Sequence, residues 1–313
     1  MLDPQIIGTI GNAKQEIRII QKRLMKNVLC VTAVALTIFF VVVIVVAGRL
    51  VAPVNRPVPL PESNQAKLPL EAIAIATASE ETLATWQIDH PTSSATVILL
   101  HPLRGDRRTM LGRAQLFYDA GFSILMIDFQ GHGESAGDAI TMGYREQHNA
   151  AAAIEFVRKQ TPSHKIGVVG WSLGGPSTLL AMPIEIDALV LESVYPTLTE
   201  AVHDRIEMRA GPLKHVLAPA LMWQLKPRLG FAADDLRPID HLDKVGCPVL
   251  IAAGDQDQHT PIDETRRMFA AANAPKQLVI FAGAKHEDLL KFDRQKYETE
   301  VVGFMTARPL GNQ

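Results

Sequence analysis

A serine enclosed by glycines constrains the fold of this 313-residue chain more than any other feature. The stretch GWSLGG at 170–175 follows an apolar run at 165–169 and opens a helical pattern at 173–182. A tight turn between a strand and a helix leaves little room for side chains beside the serine, so glycines must flank it. This order of strand, turn and helix is that of a G-x-S-x-G nucleophile elbow, and it predicts a βα unit of a parallel sheet.

Short apolar runs alternate with amphipathic stretches along the rest of the chain. Fully apolar runs suit strands that are buried on both faces. Their alternation with helices predicts an α/β fold, with a mostly parallel sheet covered on both faces and ligands beyond the carboxyl ends of its strands. We predict strands at 72–76, 83–88, 96–100, 123–127, 165–169, 188–191, 248–252 and 277–281, and helices at 109–120, 144–159, 173–182, 261–272 and about 295–306.

Twenty residues without a charge, Val28–Ala47, follow a basic N-terminal segment at 1–27. As a helix they would rise roughly 30 Å, which is the thickness of a hydrocarbon core, whereas strands of that length are very rare. A cleaved signal peptide is the alternative, with a cleavage site at Val45–Ala47, but it usually has a shorter apolar stretch and a shorter leader. We therefore expect one transmembrane helix at 28–47, kept as a signal anchor.

The basic residues around this span are unevenly distributed. Because cytoplasmic flanks carry the excess of lysine and arginine, the asymmetry predicts a cytoplasmic N-terminus and an exoplasmic location, periplasmic or extracellular, for the rest of the chain. Five basic residues precede the span and three follow it within a similar distance: Lys14, Arg18, Lys22, Arg23 and Lys26, then Arg49, Arg56 and Lys67.

Two segments interrupt the regular alternation. Residues 48–69 hold five prolines and little apolar periodicity, which predicts a semi-rigid stalk of at most roughly 50 Å. More than fifty residues separate the strands at 188–191 and 248–252, and many of them are Leu, Met or Trp. A connection of that length is usually functional, and we predict a small helical cap at about 194–246 within one domain at 70–308.

The chain offers a base and an acid for Ser172 in the order that this fold requires. A serine hydroxyl is a poor nucleophile until a histidine takes its proton, and the histidine needs an orienting carboxylate. Asp257 follows a predicted buried strand and His286 follows the next one, so both reach the edge of the sheet where Ser172 lies. We predict these three residues as a catalytic triad. Asp255 is the alternative acid, although its place suits a turn.

From about residue 72 to 305 the chain resembles the α/β-hydrolase superfamily, and within it the serine-aminopeptidase-like and monoacylglycerol-lipase-like branch. The resemblance implies Asp257 as the acid, bracketed by Gly254 and Pro261, and His286 as the base. The matching stretches are HPLRG at 101–105, DFQGHGES at 128–135, GWSLGG at 170–175, GDQDQHTP at 254–261 and GAKHEDL at 283–289.

The same chemistry needs an oxyanion hole. The N–H of Leu173 lies at the start of the helix after the elbow, where donors face developing negative charge. The resemblance implies the N–H of Leu103, two residues after His101, as the second donor. The family's usual glycine after that histidine is replaced by Pro102, which fixes φ and has no N–H. The donor at Leu103 is retained, while the shape of the loop and the acyl preference stay open.

Other polar residues near these motifs are expected to be structural. Glu192 ends an earlier strand, where some hydrolases carry their acid, and we expect it to have a structural role near the cap. His259 is expected to pack beside the acid, and His101 to brace the oxyanion loop by hydrogen bonding. Three more polar residues are expected to stabilise a glycine loop: Asp128, His132 and Glu134.

These features predict a serine hydrolase that cleaves a carboxylic ester or thioester through an acyl-enzyme at Ser172. The apolar cap and the membrane helix favour a lipid-like acyl substrate. The net charge of −2 gives no reason to expect nucleic acid, no residues have metal-ligand spacing, and no cofactor is implied. Two alternatives stay open: an aminopeptidase or amidase, in which Asp204 and Glu207 would hold a free amine, and a non-catalytic binding protein of the same fold.

Overall fold

The protein is described here by a computed structural model, which covers residues 4–61, 68–77 and 82–307, with the side chains of the first helix described from Ile17. The chain divides into two compact units, one that ends at Arg49 and one that begins at Leu50. The larger unit begins 20 residues before the predicted domain start at residue 70.

The N-terminal helix α1 spans Pro4–Val51 and contains the whole of the predicted span at 28–47. It is longer than predicted because no proline interrupts residues 5–27, so the basic segment continues the same helix. The part at Ile17–Val51 is long and apolar enough to cross a membrane, by length and composition. Its apolar side chains are mostly exposed, as expected of a helix that is surrounded by lipid. It is a candidate for a membrane anchor.

An eight-stranded sheet organises the larger unit, with the strand order β10-β9-β8-β7-β4-β5-β3-β2. Strands β4, β5, β8 and β9 are buried along their whole length, as the apolar runs predicted. The predicted α/β-hydrolase fold class is therefore confirmed. The strands are β1 Val54–Asn55, β2 Glu71–Ala76, β3 Thr82–Ile88, β4 Ala95–Leu100, β5 Ser123–Ile127, β6 His132–Gly133, β7 Lys165–Trp171, β8 Ala188–Glu192, β9 Val249–Gly254 and β10 Lys276–Phe281.

The central strands pair in parallel, and β3 pairs antiparallel with both β2 and β5. Helices cover both faces, with Phe117 and Tyr297 packed in one apolar cluster and Ile154 and Met268 in another. The helices of this unit are α2 Leu111–Asp119, α3 Glu146–Gln160, α4 Gly174–Leu180, α5 Leu198–Ala210, α6 Lys214–Met222, α7 Leu225–Leu229, α8 Ile262–Ala271, α9 Leu289–Phe292, α10 Arg294–Tyr297 and α11 Gly303–Ala307.

Between β8 and β9 the chain forms α5, α6 and α7 with short 3-10 turns, in the region where the sequence predicts a cap. This region has a small apolar cluster that includes Tyr195, Leu198 and Phe231. At the other end of the unit, the helix predicted at about 295–306 is divided into α10, a π-helical turn at Glu298–Val302 and α11.

The predicted stalk at 48–69 is corrected over Val54–Val58, which we call the strap. The strap does not stand free, because β1 pairs in parallel with β6 and the side chain of Val58 is buried. Proline keeps such a backbone extended, and an extended segment with free N–H and C=O groups can pair with a neighbouring loop. Residues 62–67 of the predicted stalk lie outside the described residues.

Candidate active site

Ser172 lies at the turn between β7 and α4 with φ 49°, a left-handed conformation that is strained for a residue with a side chain. The surrounding backbone is so close that a Cβ on Gly170 would lie 2.6 Å from Gly174 C, and one on Gly174 would lie 2.5 Å from Leu100 O. The Ser172 N–H donates to Glu192 O at 2.8 Å, which holds the turn against β8. The flanking glycines are thus required by space, as the sequence predicts.

The structure brings the three predicted triad residues together. Ser172 Oγ lies 3.2 Å from His286 Nε2, and His286 Nδ1 lies 2.8 Å from Asp257 Oδ2. A carboxylate can only accept, so this pairing places the imidazole proton on Nδ1 and leaves Nε2 as the acceptor for the serine hydroxyl. The hydrogen bonds therefore form a continuous chain from a buried acid to a serine.

Further donors hold Asp257 in its charged form. Its Oδ1 accepts from the N–H groups of His259 at 2.7 Å and Thr260 at 3.0 Å, and its Oδ2 accepts from Thr260 Oγ1 at 2.7 Å. Burial alone would raise the pKa of Asp257, but the hydrogen bonds from His286 and Thr260 outweigh it and lower the pKa below its usual value. An ionised carboxylate beside the imidazole stabilises the imidazolium that forms during acyl transfer.

The neighbouring carboxylate of Asp255 has a different partner. Its Oδ1 accepts from the N–H of Gly283 at 2.7 Å, and so it ties the turn after β9 to the loop that carries His286. This contact agrees with the turn role expected for Asp255.

The two predicted oxyanion donors lie beyond the ends of adjacent strands, since Leu100 of β4 pairs with Gly170 of β7. Within residues 4–61, 68–77 and 82–307, neither the Leu103 N–H nor the Leu173 N–H donates a hydrogen bond to the protein. Leu173 is the residue before α4, and such positions at helix starts leave N–H groups available to ligands.

The loop that carries Leu103 is fixed despite the proline that precedes it. Pro102 O accepts from His101 Nδ1 at 2.8 Å and from the Gly105 N–H at 2.9 Å. In a planar trans peptide the N–H points opposite to the C=O, so these two bonds also fix the direction of the Leu103 N–H. His101 Nε2 accepts from the Phe129 N–H at 3.0 Å, and burial lowers the pKa of His101 to about 4. The expected bracing role of His101 agrees with these contacts.

Comparison with known proteins assigns the family. Residues 97–295, more than half of the chain, match the Alpha/beta hydrolase family. The chain belongs to this family. The predicted resemblance to α/β-hydrolases is thereby confirmed.

Two proteins are similar to this chain in sequence, and one solved structure is similar to it in fold. The uncharacterized protein Rv2307c of Mycobacterium tuberculosis is 27% identical, covering 79% of this chain and 83% of that protein. The uncharacterized membrane protein YNL320W of Saccharomyces cerevisiae is 21% identical, covering 71% of this chain and 75% of that protein. The esterase Pf2001 of Pyrococcus furiosus has a TM-score of 0.69 at 21% identity, covering 83% of this chain and 100% of that one. At that identity, the structural likeness shows the fold alone.

In this hydrolase, His259 lies directly beside the candidate base. Its ring centroid is 4.6 Å from that of His286, with the planes tilted by 30°. Burial, and then the nearby groups His286 and Arg205, lower the pKa of His259 to about 4, so it is neutral at pH 7. The packing role expected for His259 agrees with this geometry.

Glu192 of the hydrolase has a structural role, but the expected location near the cap was wrong. It binds Arg113 Nε at 3.1 Å and Nη2 at 2.5 Å, and it accepts from Tyr297 Oη at 2.5 Å. These partners belong to α2 and α10, so the carboxylate faces the helices that cover the sheet and not the region between β8 and β9. Arg113 also binds Asp288 Oδ1 at 2.9 Å, and Asp288 lies two residues after His286.

Two supporting residues of the site were missed by the sequence argument. Thr260 lies inside the GDQDQHTP stretch at 254–261, three residues after Asp257. A hydroxyl so close to the acid indicates a possible hydrogen bond to its carboxylate. Arg113 gave no such signal, because an arginine in an amphipathic helix usually faces solvent. Its burial depends on Glu192 and Asp288, which are distant in sequence.

The glycine loop after β5 is organised by Asp128, as expected. Asp128 accepts from the N–H groups of Arg107 at 2.7 Å and Glu134 at 2.9 Å and forms an ion pair with the Arg107 side chain. A Cβ on Gly133 would lie only 2.0 Å from Asp128 Oδ2, so only glycine fits there. Among the residues with described side chains, no cluster of His, Cys, Asp and Glu could hold a metal ion.

Proposed function

We propose that this alpha/beta hydrolase is a serine hydrolase that cleaves a carboxylic ester or thioester through an acyl-enzyme at Ser172. One observation carries the proposal: the unbroken hydrogen-bond chain from Asp257 through His286 to Ser172 Oγ, with distances of 2.8 and 3.2 Å. It lies at the turn where the fold holds a strained serine beside helix α4. The esterase Pf2001, which shares the fold, supports the same class of reaction.

The first half of the proposed reaction forms the acyl-enzyme. His286 Nε2 takes the proton of Ser172 as Oγ bonds to the carbonyl carbon, and the carbonyl oxygen becomes an oxyanion. The N–H groups of Leu103 and Leu173 stabilise that charge, and Asp257 stabilises the imidazolium. When the tetrahedral intermediate collapses, the bond to the leaving oxygen or sulfur breaks, and His286 gives it the proton.

The second half releases the acyl group to water. His286 takes a proton from a water molecule as the water oxygen bonds to the acyl carbon. The N–H groups of Leu103 and Leu173 stabilise the second oxyanion. Collapse breaks the bond to Ser172 Oγ, which receives the proton back from His286. A carboxylic acid leaves, and the enzyme returns to its starting state without a cofactor.

A lipid-like acyl substrate is the class that we propose. It is supported by the apolar side chains of α6 and α7 and by the candidate membrane helix α1. The aminopeptidase alternative has less support, because Glu207, one of the two carboxylates that would hold an amine, is paired with Lys214 at 2.5 Å.

We also propose that α1 anchors the enzyme with its N-terminus in the cytoplasm and the larger unit on the exoplasmic side. The excess of basic residues before the span supports this orientation. Alkaline phosphatase and green fluorescent protein fused to the C-terminus give opposite readouts on the two sides of a membrane. Fluorescence without phosphatase activity would reverse the proposed orientation.

Labelling of the full-length protein with a fluorophosphonate tests the activity. We expect the wild-type protein to be labelled and Ser172→Ala to remain unlabelled. Ser193→Ala is a matched control, because Ser193 also has a left-handed φ of 50° and is buried at the end of the neighbouring strand β8. We expect Ser193→Ala to be labelled like the wild type. Folded wild type that is not labelled, or labelling that survives Ser172→Ala, would disprove the proposal.

Substrate class is tested with p-nitrophenyl esters of increasing chain length, acyl thioesters and amino-acid p-nitroanilides. A lipid-like substrate predicts that kcat/KM rises with acyl length, because each buried CH₂ adds about 0.8 kcal/mol. Preference for the amino-acid anilides would instead favour the aminopeptidase.

A further inference from the structure

The strap Val54–Val58 is bonded along its length to the domain that carries the candidate active site. Its backbone pairs with the glycine loop that includes β6, and its last carbonyl is bound by Arg107. The contacts are Val54 N–H to Gly131 O at 2.7 Å, Arg56 N–H to Gly133 O at 2.8 Å, Asn55 Nδ2 to Ser135 O at 2.6 Å, Val58 N–H to Glu134 Oε1 at 3.0 Å, and Arg107 Nη2 to Val58 O at 2.9 Å.

The side chain of Arg56 extends from the strap to the loop that carries Leu103. Its Nη2 donates to Arg104 O at 3.2 Å, and its Nε donates to Asp106 Oδ2 at 2.7 Å. Arg104 directly follows Leu103, and Asp106 lies three residues after it. Arg56 therefore binds the outer side of the same turn whose inner side is held by His101 and Gly105.

This turn needs such support because Arg104 has φ 60°, which is unfavourable for a residue with a side chain. The family's usual glycine before Leu103 is replaced by proline, so the loop cannot rely on glycine there. An arginine that donates to both Arg104 O and Asp106 closes the turn from outside. The orientation of the Leu103 peptide then depends on contacts from both sides.

Asp106 does not depend on Arg56 alone. Its carboxylate is buried, with 2% of its side chain exposed, and it is also bound by Arg108 Nη2 at 2.7 Å. Burial would raise its pKa, but the hydrogen bonds from Arg108 and Arg56 lower the pKa to about 2. Loss of Arg56 therefore leaves the charge paired and removes the Nη2 hydrogen bond to Arg104 O.

We propose that Arg56 is a positioning residue for the oxyanion donor at Leu103. The inference rests on the proposed function, since it assigns Arg56 a part in stabilising the oxyanion formed at Ser172. Oxyanion donors act only when they lie about 2.7–3.1 Å from the oxygen, and the loss of one costs about 10²–10³ in kcat. A donor that is displaced but still present costs less, so the effect expected of Arg56→Ala is about tenfold.

The test uses the full-length protein in detergent and the best ester of the substrate panel. We expect Arg56→Ala to lower kcat about tenfold with KM within about twofold, because the loss concerns the transition state. Arg56→Lys should recover part of the loss, since an ammonium can take the place of Nη2, which contacts both acceptors, but cannot replace the second donor, Nε. A trifluoromethyl ketone, which forms a tetrahedral adduct with serine, should bind the Arg56→Ala enzyme more weakly by a similar factor.

Arg108→Ala is the matched control. Arg108 is 42% exposed and Arg56 is 44% exposed, and both bind Asp106 Oδ2 at 2.7 Å, but only Arg56 donates to Arg104 O. Equal kcat values for Arg56→Ala and Arg108→Ala would overturn the inference and leave the proposed function intact. Wild type that hydrolyses no ester, or Ser172→Ala that keeps full activity, would overturn the proposed function and this inference with it.

Discussion

Two buried carboxylates, Asp257 and Glu192, lie at the carboxyl ends of the neighbouring strands β9 and β8, yet they have different partners. Asp257 binds His286, whose second ring nitrogen faces Ser172. Glu192 binds Arg113 and Tyr297, and the guanidinium of Arg113 also lies 4.6 Å from the ring centroid of Trp171.

The two clusters differ in the residue that donates to the acid, a histidine for Asp257 and an arginine for Glu192, and not in the position of the acid. A histidine can give and take a proton near neutral pH, so the chain that starts at Asp257 can move a proton at its far end. An arginine stays protonated, so the bonds of Arg113 to Glu192 and Asp288 only hold structure. A carboxylate at this edge of the sheet therefore becomes a candidate for catalysis through the histidine that it orients.

The largest effect is expected from Asp257→Asn. The amide removes the negative charge and favours the wrong imidazole tautomer, and we expect kcat for the ester to fall by about 10³–10⁴. The fold should be retained, because Thr260 and the backbone donors can still bind the remaining carbonyl oxygen. Steady-state kinetics with circular dichroism measures both quantities.

Asp255→Asn is the matched control, since Asp255 is only two residues away and binds Gly283 instead of the base. We expect its kcat to stay within about threefold of wild type, since the acceptor oxygen for Gly283 remains. A large loss in Asp255→Asn together with a small one in Asp257→Asn would move the acid to residue 255.

The reverse pattern is expected for Glu192→Gln. Without the carboxylate, Arg113 keeps one charged partner, Asp288, and its buried charge is poorly compensated. Breaking a buried ion pair on one side costs about 3–5 kcal/mol, and we expect a loss in the free energy of unfolding near the lower end. Urea denaturation measures it, and kcat per fluorophosphonate-labelled site should change little.

The double substitution Arg113→Met with Glu192→Leu sharpens this prediction. It removes both charges and fills the space with apolar groups, which is often neutral for stability. We expect it to recover part of the stability that Glu192→Gln loses. If kcat per labelled site falls as far in Glu192→Gln as in Asp257→Asn, the distinction between the two clusters is lost.

Much of the sheet could be predicted because a strand that is buried on both faces is a short, continuous apolar run in the sequence. Strands such as β5 and β8 are short apolar runs between turns, and β5 has the predicted bounds. The candidate triad followed for a similar reason, because each member lies just past such a run. The elbow added the steric need for glycine, which the close approach of Gly170 and Gly174 shows directly.

Contacts between distant segments could not be predicted in this way, because no local sequence pattern marks them. Arg113, Glu192 and Tyr297 come from three separated elements, and neither periodicity nor spacing shows that these side chains meet. The strap was mistaken for part of a stalk because proline content indicates extended backbone without telling whether that backbone is paired. The partners of Arg56 lie about fifty residues away, at Arg104 and Asp106.

Glu264 of α8 is an intermediate case, because it is buried close to two other carboxylates, those of Asp204 and Glu200. Glu264 Oε2 and Asp204 Oδ2 are both buried without a hydrogen-bond donor among the described residues, an arrangement that a shared proton would satisfy. Burial, and then Asp204 and Glu200, raise the pKa of Glu264 to about 8, while Arg267 opposes the shift. Unlike Asp257, this acid is held in its neutral form.

The smallest effect is therefore expected from Glu264→Gln, and it depends on pH. Because the folded-state pKa lies above the unfolded value of about 4.5, the native state binds the extra proton, and wild-type stability falls as pH rises towards 8. Glutamine cannot lose a proton, so the free energy of unfolding of the variant relative to that of wild type should increase steadily between pH 5 and pH 9. Asp263→Asn, at a neighbouring side chain that is 85% exposed, should show no such trend. Urea denaturation gives the free energy of unfolding of both proteins at each pH. If the difference between Glu264→Gln and wild type stays the same from pH 5 to pH 9, Glu264 is ionised in the folded protein, and the contrast with Asp257 disappears.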